Sequence, residues 1–560
     1  MCLNEQVTQL HIRNGVYNAA PMSSHRIIAR APAVGTTETK IRTDINSLTA
    51  VKEDAAHFPG GHATGVAQPT TEGEVAELVR RTHRLLPIGA QSSLTGGATP
   101  MGEIVVDMQR FDRILSISSE EVVVQPGVPI GVLQAILARA GKYYPPVPTF
   151  DGASVGGTVA TNAAGATTFK YGTTRDWVNG LTVVLSNGEV LDIVRGQTTA
   201  HPDGYFEIVT STNVRRVPVP TYSMVNVAKC SAGYFVEPEM DLIDLFIGSE
   251  GTLGIITEIT LAVVAPAPQV ALVWISLTNE QAAFELTCIL RKAAQNAWRN
   301  ADASALDVSA IEYLDARSLA IVREDGAVRM HEIGLPDDAT VALIARVEFP
   351  SDISLKPENA YKDIGQALSD GAADTPLTRL CRLLASSKLL ERSEIVLPAD
   401  SRRQAQITAI REAVPEGVNK RVADAKRCKH GHIEKTAADM IVPYDRFNES
   451  LRVFRRAFDS RDLDYAIWGH ISDGNLHPNV IPRNLDDVRR GREAILECGR
   501  EIVKLGGCPL AEHGVGRNLV KQALLHEFYG ERGIAQMRTV KVALDPKRQL
   551  APGVLFPDSP

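Results

Sequence analysis

The sequence has no stretch approaching the ~18 uninterrupted apolar residues that a bilayer-spanning helix requires, so no window reads as a transmembrane segment. It also lacks a strong charge of one sign. With 59 Lys and Arg against 66 Asp and Glu, the net charge of -7 offers no electrostatic reason to bind nucleic acid. The seven cysteines, Cys2, Cys230, Cys288, Cys381, Cys428, Cys498 and Cys508, are scattered, odd in number and never spaced as CxxC. That excludes a disulfide scaffold, a zinc ribbon and a built-in iron–sulfur cluster, and it fits a reducing, cytoplasmic compartment. No GxGxxG opens a helix and no GxxxxGK[ST] is present, which removes the usual NAD and ATP loops.

The 560 residues that are present, 44% hydrophobic and 22% charged, have an ordinary globular composition. Their number suggests roughly three to four domain-sized units. Residues 1–45 show no periodicity and read as a flexible tail. There Arg13, Arg26, Arg30, Lys40 and Arg42 outnumber Glu5, Glu38 and Asp44. A disordered tail, an organellar transit peptide (which would make the protein mitochondrial) and a true start at Met22 all share this composition. A homodimer and a peripheral membrane contact are both compatible with it.

Residues 71–84, acidic at the start and basic at the end, predict a helix. Strands are expected at 85–88, 104–107 and 122–124, and a helix over 129–140 with Gly141 just past its end. Residues 181–194 read as a hairpin turning at Asn187-Gly188, and 255–264 as a long β-branched strand. Pro266-Ala267-Pro268 looks like a boundary. Beyond it come strands at 270–277 and 341–349, a helix over 281–294, a polar connection at 351–376, and helices over 402–414, 446–460 and 485–505. The pattern is α+β throughout.

Three segments expose backbone in place of bulk. Residues 87–98 (Pro-Ile-Gly-Ala-Gln-Ser-Ser-Leu-Thr-Gly-Gly-Ala) follow a strand, and their consecutive N–H groups can form an anion-binding concavity. Residues 151–165 are too small in side chain to fill a core and make sense against an elongated ligand. Residues 248–258 are a turn feeding a strand. In the second half, His470 and His477 flank Asp473-Gly474, a turn that would bring both rings to one side of a hairpin. Imidazoles suit zinc, manganese or iron, and a carboxylate third ligand such as Glu512, followed by His513, would leave a coordination position open. Hydrogen-bonded structural histidines near a turn are the competing reading.

Taken together, the glycine-rich segments, with Tyr171-Gly172 and Arg175-Asp176 between them, resemble in content and order the FAD-binding domain of the vanillyl-alcohol-oxidase and para-cresol-methylhydroxylase superfamily. The resemblance implies a two-subdomain FAD-binding domain (46–266), an α+β cap with a ferredoxin-like sheet and helices (267–500), and a C-terminal segment (501–560) that carries Glu512-His513 back toward the flavin. It also implies that Gly89, Gln91, Ser92, Ser93, Leu94 and Thr95, with Gly156, Gly157, Thr161 and Gly165, hold the pyrophosphate and ribityl parts of FAD. Glu250, Gly251, Gly254 and Ile256 would lie along the adenine side. No histidine stands between Pro87 and Met101, so FAD is expected to be non-covalent; Gly61-His62 is the nearest Gly-His pair.

The histidine block, with Lys541, Asp545-Pro546 and the closing 550–557, resembles the FAD-linked oxidases that include cytochrome-coupled D-lactate dehydrogenase, the glycolate oxidase D subunit and D-2-hydroxyglutarate dehydrogenase. That resemblance implies a divalent metal (Zn, Mn or Fe) on His470, His477 and Glu512. It makes His513 the general base, Asn479 a substrate contact, and Arg411 of Arg411-Glu412 the clamp on the substrate carboxylate. The expected reaction oxidises a D-2-hydroxy acid such as D-lactate to the 2-oxo acid, passing electrons to an external acceptor such as a cytochrome, a quinone or an electron-transfer flavoprotein. D-2-hydroxyglutarate or glycolate as substrate, a partner-dependent subunit, and a non-redox enzyme of the ether-lipid synthase type are the alternatives. Two departures weigh on the choice. Ser472 replaces the first glycine of the usual Gly-Asp-Gly-Asn. Ala437 stands where members acting on dicarboxylates carry lysine, with Lys435 on the same strand face. His430 and His432 have no assignment.

Overall fold

The computed structural model describes residues 24–33, 39–146, 148, 150–302, 305–351 and 355–557. The first domain is built on two sheets. Strands Gly65–Ala67, Ile104–Asp107 and Leu85–Ile88 run parallel, with Ile41–Arg42 added at the edge. Helix Glu72–Arg81 covers them, buries Val75, Ala76, Leu78 and Val79, and is capped by Thr71. The second sheet is antiparallel, in the order Ile114–Ile117, Glu121–Val124, Ile255–Ala262, Val178–Val184, Val190–Val194. Strand Ile255–Ala262 alternates strictly between buried and half-buried residues, the period-two pattern of a strand with one face in the core. The glycine-rich loops emerge where the two sheets meet.

The cap sheet has eight strands, and Asp307–Leu314, Tyr465–His470 and Asn475–Val480 lie side by side within it. Helices Glu280–Asn300, Phe447–Asp459 and Leu485–Lys504 pack on it with buried apolar stripes. The C-terminal segment returns to the first domain. Leu550 bridges Leu85, Gln549 donates to the carbonyls of Val79 and Ser186, and Lys541 donates to Thr252 O. Among the described residues no helix is long and apolar enough to cross a membrane.

Three expectations are corrected. The tail expected over 1–45 is partly built into the fold: Arg26–Ile28 pairs in parallel with Tyr205–Val209, and Arg30 bonds both Glu72 and Asp192. Three residues are too short to show periodicity, so the pairing had no sequence signal. Residues 1–23, with Met22 and the transit-peptide question, lie outside the described residues. The polar connection at 351–376 contains a helix, Pro357–Gln366, which starts with proline at its first turn and buries only Ala360. Finally, the helix expected to end before Pro415 runs from Ser401 to Cys428. Its buried face continues through the proline as Ile407, Ile410, Val414, Val418 and Val422, so packing outweighs the ~3 kcal/mol that an interior proline costs. Pro415 has no N–H to give the carbonyl four residues earlier, that of Arg411.

Candidate active site at the junction of the two domains

The strand alternation builds one wall. Register sets Glu312 opposite His470, His470 opposite Asn475, and Trp468 opposite His477. Asn475, His477 and Asn479 occupy alternate positions of one strand, so Glu312, both imidazoles and both asparagines share a face. The hairpin turn at Asp473-Gly474 is the one the sequence indicates. Glu512-His513 arrives from the C-terminal segment and is fixed by Asp439, whose Oδ2 accepts from the backbone N–H of Glu512 (2.7 Å) and His513 (2.8 Å).

These elements bring three imidazoles to one carboxylate oxygen. Glu512 Oε1 lies 3.4 Å from His470 Nε2, 3.4 Å from His477 Nε2 and 3.5 Å from His513 Nε2. Each expected ligand has a partner behind it. His470 Nδ1 is 2.9 Å from Glu312 Oε1, and His477 Nδ1 faces Asp439 Oδ1 at 3.4 Å, without hydrogen-bond alignment. Glu512 Oε2 accepts from Lys229 Nζ at 2.8 Å. Such outer partners fix ring orientation and ligand charge at metal sites. Asp439, His477, Glu512 and His513 also present donor atoms within 4.8 Å of one another. Asp439 is already occupied by two backbone N–H groups and by Asn475 Nδ2, which leaves His477, Glu512 and His513 of that group, with His470 Nε2 also 3.4 Å from Glu512.

The electrostatics follow from burial opposed by pairing. Burial works against the charged form of His470, but Glu312 and Glu512 hold it up at about 9. Burial pushes His477 down to about 4, despite Asp439 and Glu512 nearby. Glu312, though buried, is drawn down to about 2 by His470 and Arg411. Lys229 is wholly enclosed; desolvation disfavours its charge, yet Asp473 and Glu512 raise it above the ordinary lysine value.

A cavity of about 780 Å³ runs from the glycine-rich loops to these side chains. Gly89, Gln91, Ser92, Ser93 and Leu94 line it from the first loop, Gly156, Gly157 and Thr161 from the second, and Glu250, Gly251, Gly254 and Ile256 from the third. Thr95 and Gly165 stand back from it: the carbonyl of Thr95 accepts from Arg517 N–H, and Gly165 N–H donates to Thr168 Oγ1. At Gly156 a Cβ would sit 2.4 Å from Pro126 Cβ, so the second loop is pressed to its neighbour by the absence of side chain. At Gly516, with φ +58, a Cβ would sit 2.3 Å from Thr95 Oγ1, so the C-terminal segment lies equally close to the first loop. His62 is exposed and does not line the cavity, whereas His57 does.

The cavity's other end holds Arg411, Lys435, Ala437, His477, Asn479, Glu512 and His513. Arg411 lies 3.4 Å from Glu312 Oε2 and 3.3 Å from Glu412 Oε1. Asn479 is buried, its Nδ2 donates to His477 O, and its Oδ1 has no hydrogen-bond partner among the described residues. Burial, with Lys521 beside it, pushes Lys435 down to about 8. A larger cleft of about 4060 Å³ lies elsewhere between the domains, but it contains none of the three imidazoles, so the smaller cavity is the candidate site. His430 and His432 sit exposed in a loop away from both, with His432 N–H bonded to His430 Nδ1. Sequence reasoning missed Lys229, Glu312 and Asp439. Glu312 was discoverable from strand alternation once its neighbour strand was known; nothing in the residues around Lys229 marks it.

Residues 63–193 match the FAD binding domain, and residues 289–555 match the C-terminal domain of FAD linked oxidases. The chain is 28% identical over 515 residues to the glycolate oxidase subunit GlcD of Bacillus subtilis (strain 168), covering 88% of each. It is 28% identical to a D-lactate dehydrogenase of Anaerostipes hadrus, covering 87% of this chain and 88% of that one. It is 26% identical to a D-2-hydroxyglutarate dehydrogenase of Xanthomonas citri pv. viticola, covering 88% and 89%. Substrate-bound p-cresol methylhydroxylase shares the fold, with a TM-score of 0.62 at 14% identity over 92% of this chain and 94% of that one.

Proposed function

The chain belongs to the FAD-linked oxidases, in the group of D-lactate, glycolate and D-2-hydroxyglutarate dehydrogenases, and from that premise we propose that it oxidises a D-2-hydroxy acid of the D-lactate type to the 2-oxo acid. The observation that carries the reading is the single cavity that joins the glycine-rich cradle to the imidazole–carboxylate cluster.

Gly89, Ser92, Ser93, Gly156 and Gly157 would hold FAD by backbone and hydroxyl donors, and His470, His477 and Glu512 would hold a divalent ion. When bound, FAD supplies the hydride acceptor and the ion supplies Lewis acidity toward the substrate hydroxyl. Arg411, braced by Glu312 and Glu412, presents its guanidinium to the substrate carboxylate. Asn479 offers its unpartnered Oδ1 to a substrate donor. His513 turns Nδ1 toward Asp439 and Nε2 toward the Glu512 carboxylate, at 3.5 Å each, and would take the hydroxyl proton on Nε2. The electrons then leave to an external acceptor, since the sequence carries no iron–sulfur or haem motif.

The test is an anaerobic visible spectrum of the flavin-loaded protein titrated with D-lactate, glycolate, D-2-hydroxyglutarate and L-lactate. Bleaching by a D-2-hydroxy acid, lost after chelation while dithionite still reduces the flavin, is the expected result. A flavin that no 2-hydroxy acid bleaches overturns the proposal.

A further inference from the structure

Next to the Lys229–Glu512 pair the structure brings two sulfurs together. Cys230 Sγ lies 3.5 Å from Cys508 Sγ, van der Waals contact between two thiols. The backbone on both sides is already fixed. Ser231 N–H donates to Leu510 O at 3.0 Å, and Gly514 N–H donates to Ser231 Oγ at 3.1 Å. Cys508 exchanges N–H···O bonds with Ile441 at 2.8 and 3.0 Å. Closing the gap from 3.5 Å to a bond of roughly 2.05 Å therefore falls to side-chain rotation.

Access is unequal. Cys230 is half-buried and lines the larger interdomain cleft, whereas Cys508 is fully buried and its thiol also lies 3.2 Å from Leu510 O. The Cys508 thiol beside it holds Cys230 below the usual cysteine range, against the effect of burial. The accessible sulfur is thus the better nucleophile, and the buried one is placed to resolve it.

We propose that Cys230 and Cys508 are an oxidation site that a hydroperoxide converts to a disulfide. The Cys230 sulfur attacks the terminal peroxide oxygen. The O–O bond breaks, and the leaving oxygen takes the Cys230 proton, giving a sulfenic acid and an alcohol, or water when the oxidant is hydrogen peroxide. The Cys508 sulfur then attacks the sulfenyl sulfur, the S–O bond breaks, and the Cys508 proton leaves with the hydroxyl as water. Two thiols lose two electrons to one peroxide. The bond would join the first-domain segment that carries Lys229 to the C-terminal segment that carries Glu512.

The experiment treats the holoprotein with hydrogen peroxide, blocks remaining thiols under denaturing conditions, and maps the peptides by mass spectrometry. Expected are a dithiothreitol-reversible Cys230–Cys508 peptide pair and a fall from seven titratable thiols to five. With Cys508→Ser, dimedone should tag Cys230; with Cys230→Ser, Cys508 should stay reduced. A wild-type protein that keeps all seven thiols, or that links other cysteines instead, overturns the proposal, and this arm needs no variant to fold.

Discussion

Lys229 Nζ lies 2.8 Å from Glu512 Oε2, a buried ion pair that joins a loop of the first domain to the C-terminal segment. The same ammonium is 3.0 Å from Asp473 Oδ2, without hydrogen-bond alignment, and 3.3 Å from Asn475 Oδ1. It holds Glu512 so that the other oxygen faces the three imidazoles.

Lys229→Met removes the cation that stands between two buried carboxylates, Asp473 and Glu512, which should cost about 3–5 kcal/mol of stability. Metal affinity should fall by about 10–100-fold, as for other outer partners of metal ligands. Denaturant unfolding and metal titration by calorimetry check the two effects separately. Wild-type values for both would refute the role.

His513→Ala should leave FAD bound and reducible by dithionite while slowing its reduction by substrate by roughly 10²–10⁴-fold, the usual contribution of a positioned base. Anaerobic stopped-flow spectroscopy gives the rate. Retained reduction would sink the assignment of the base.

Arg411→Met should raise the KM for a 2-hydroxy acid more than it lowers kcat, because the guanidinium binds a carboxylate that does not itself react. Steady-state kinetics with one acid at several concentrations separates the two parameters. A pure kcat defect would argue that the arginine acts on the reacting carbon instead.

Burial pushes the Glu250 carboxyl up to about 7, outweighing the hydrogen bonds it accepts from Val515 and Gly516. The folded chain therefore keeps this proton over a range in which the unfolded glutamate, titrating near ~4.3, has lost it. The stability so gained is complete below the unfolded pKa and is lost as pH rises through about 7. Denaturation midpoints of the FAD-free protein should decline across that window, and Glu250→Gln should flatten the decline. An equal slope in wild type and variant would place the effect elsewhere.

Much of this was legible in the residues. The glycine loops, the His470–His477 hairpin and the strand Ile255–Ala262 each carry a local signature: absent bulk, a turn dipeptide, strict alternation. Helix Ser401–Cys428 was legible only to Pro415, because the apolar face that sustains it beyond that point draws on tertiary packing. Lys229 was illegible for a deeper reason. Its partners Asp473 and Glu512 stand hundreds of positions away, and a lysine acquires such a role only through what the fold places around it.

The close fit of Gly516 to Thr95 and the hold of Glu250 on Val515 and Gly516 bear on when the protein becomes competent during its synthesis. Translation delivers the glycine-rich loops first and the segment that completes their cradle almost last. A chain that ended before Glu512 would carry all three loops and yet lack Glu512 and His513, which line the cavity, and Gly516, which lies against Thr95. A frameshift just before Glu512 would therefore leave every residue of the first domain in place and yet remove Glu512 and His513 from the cavity wall.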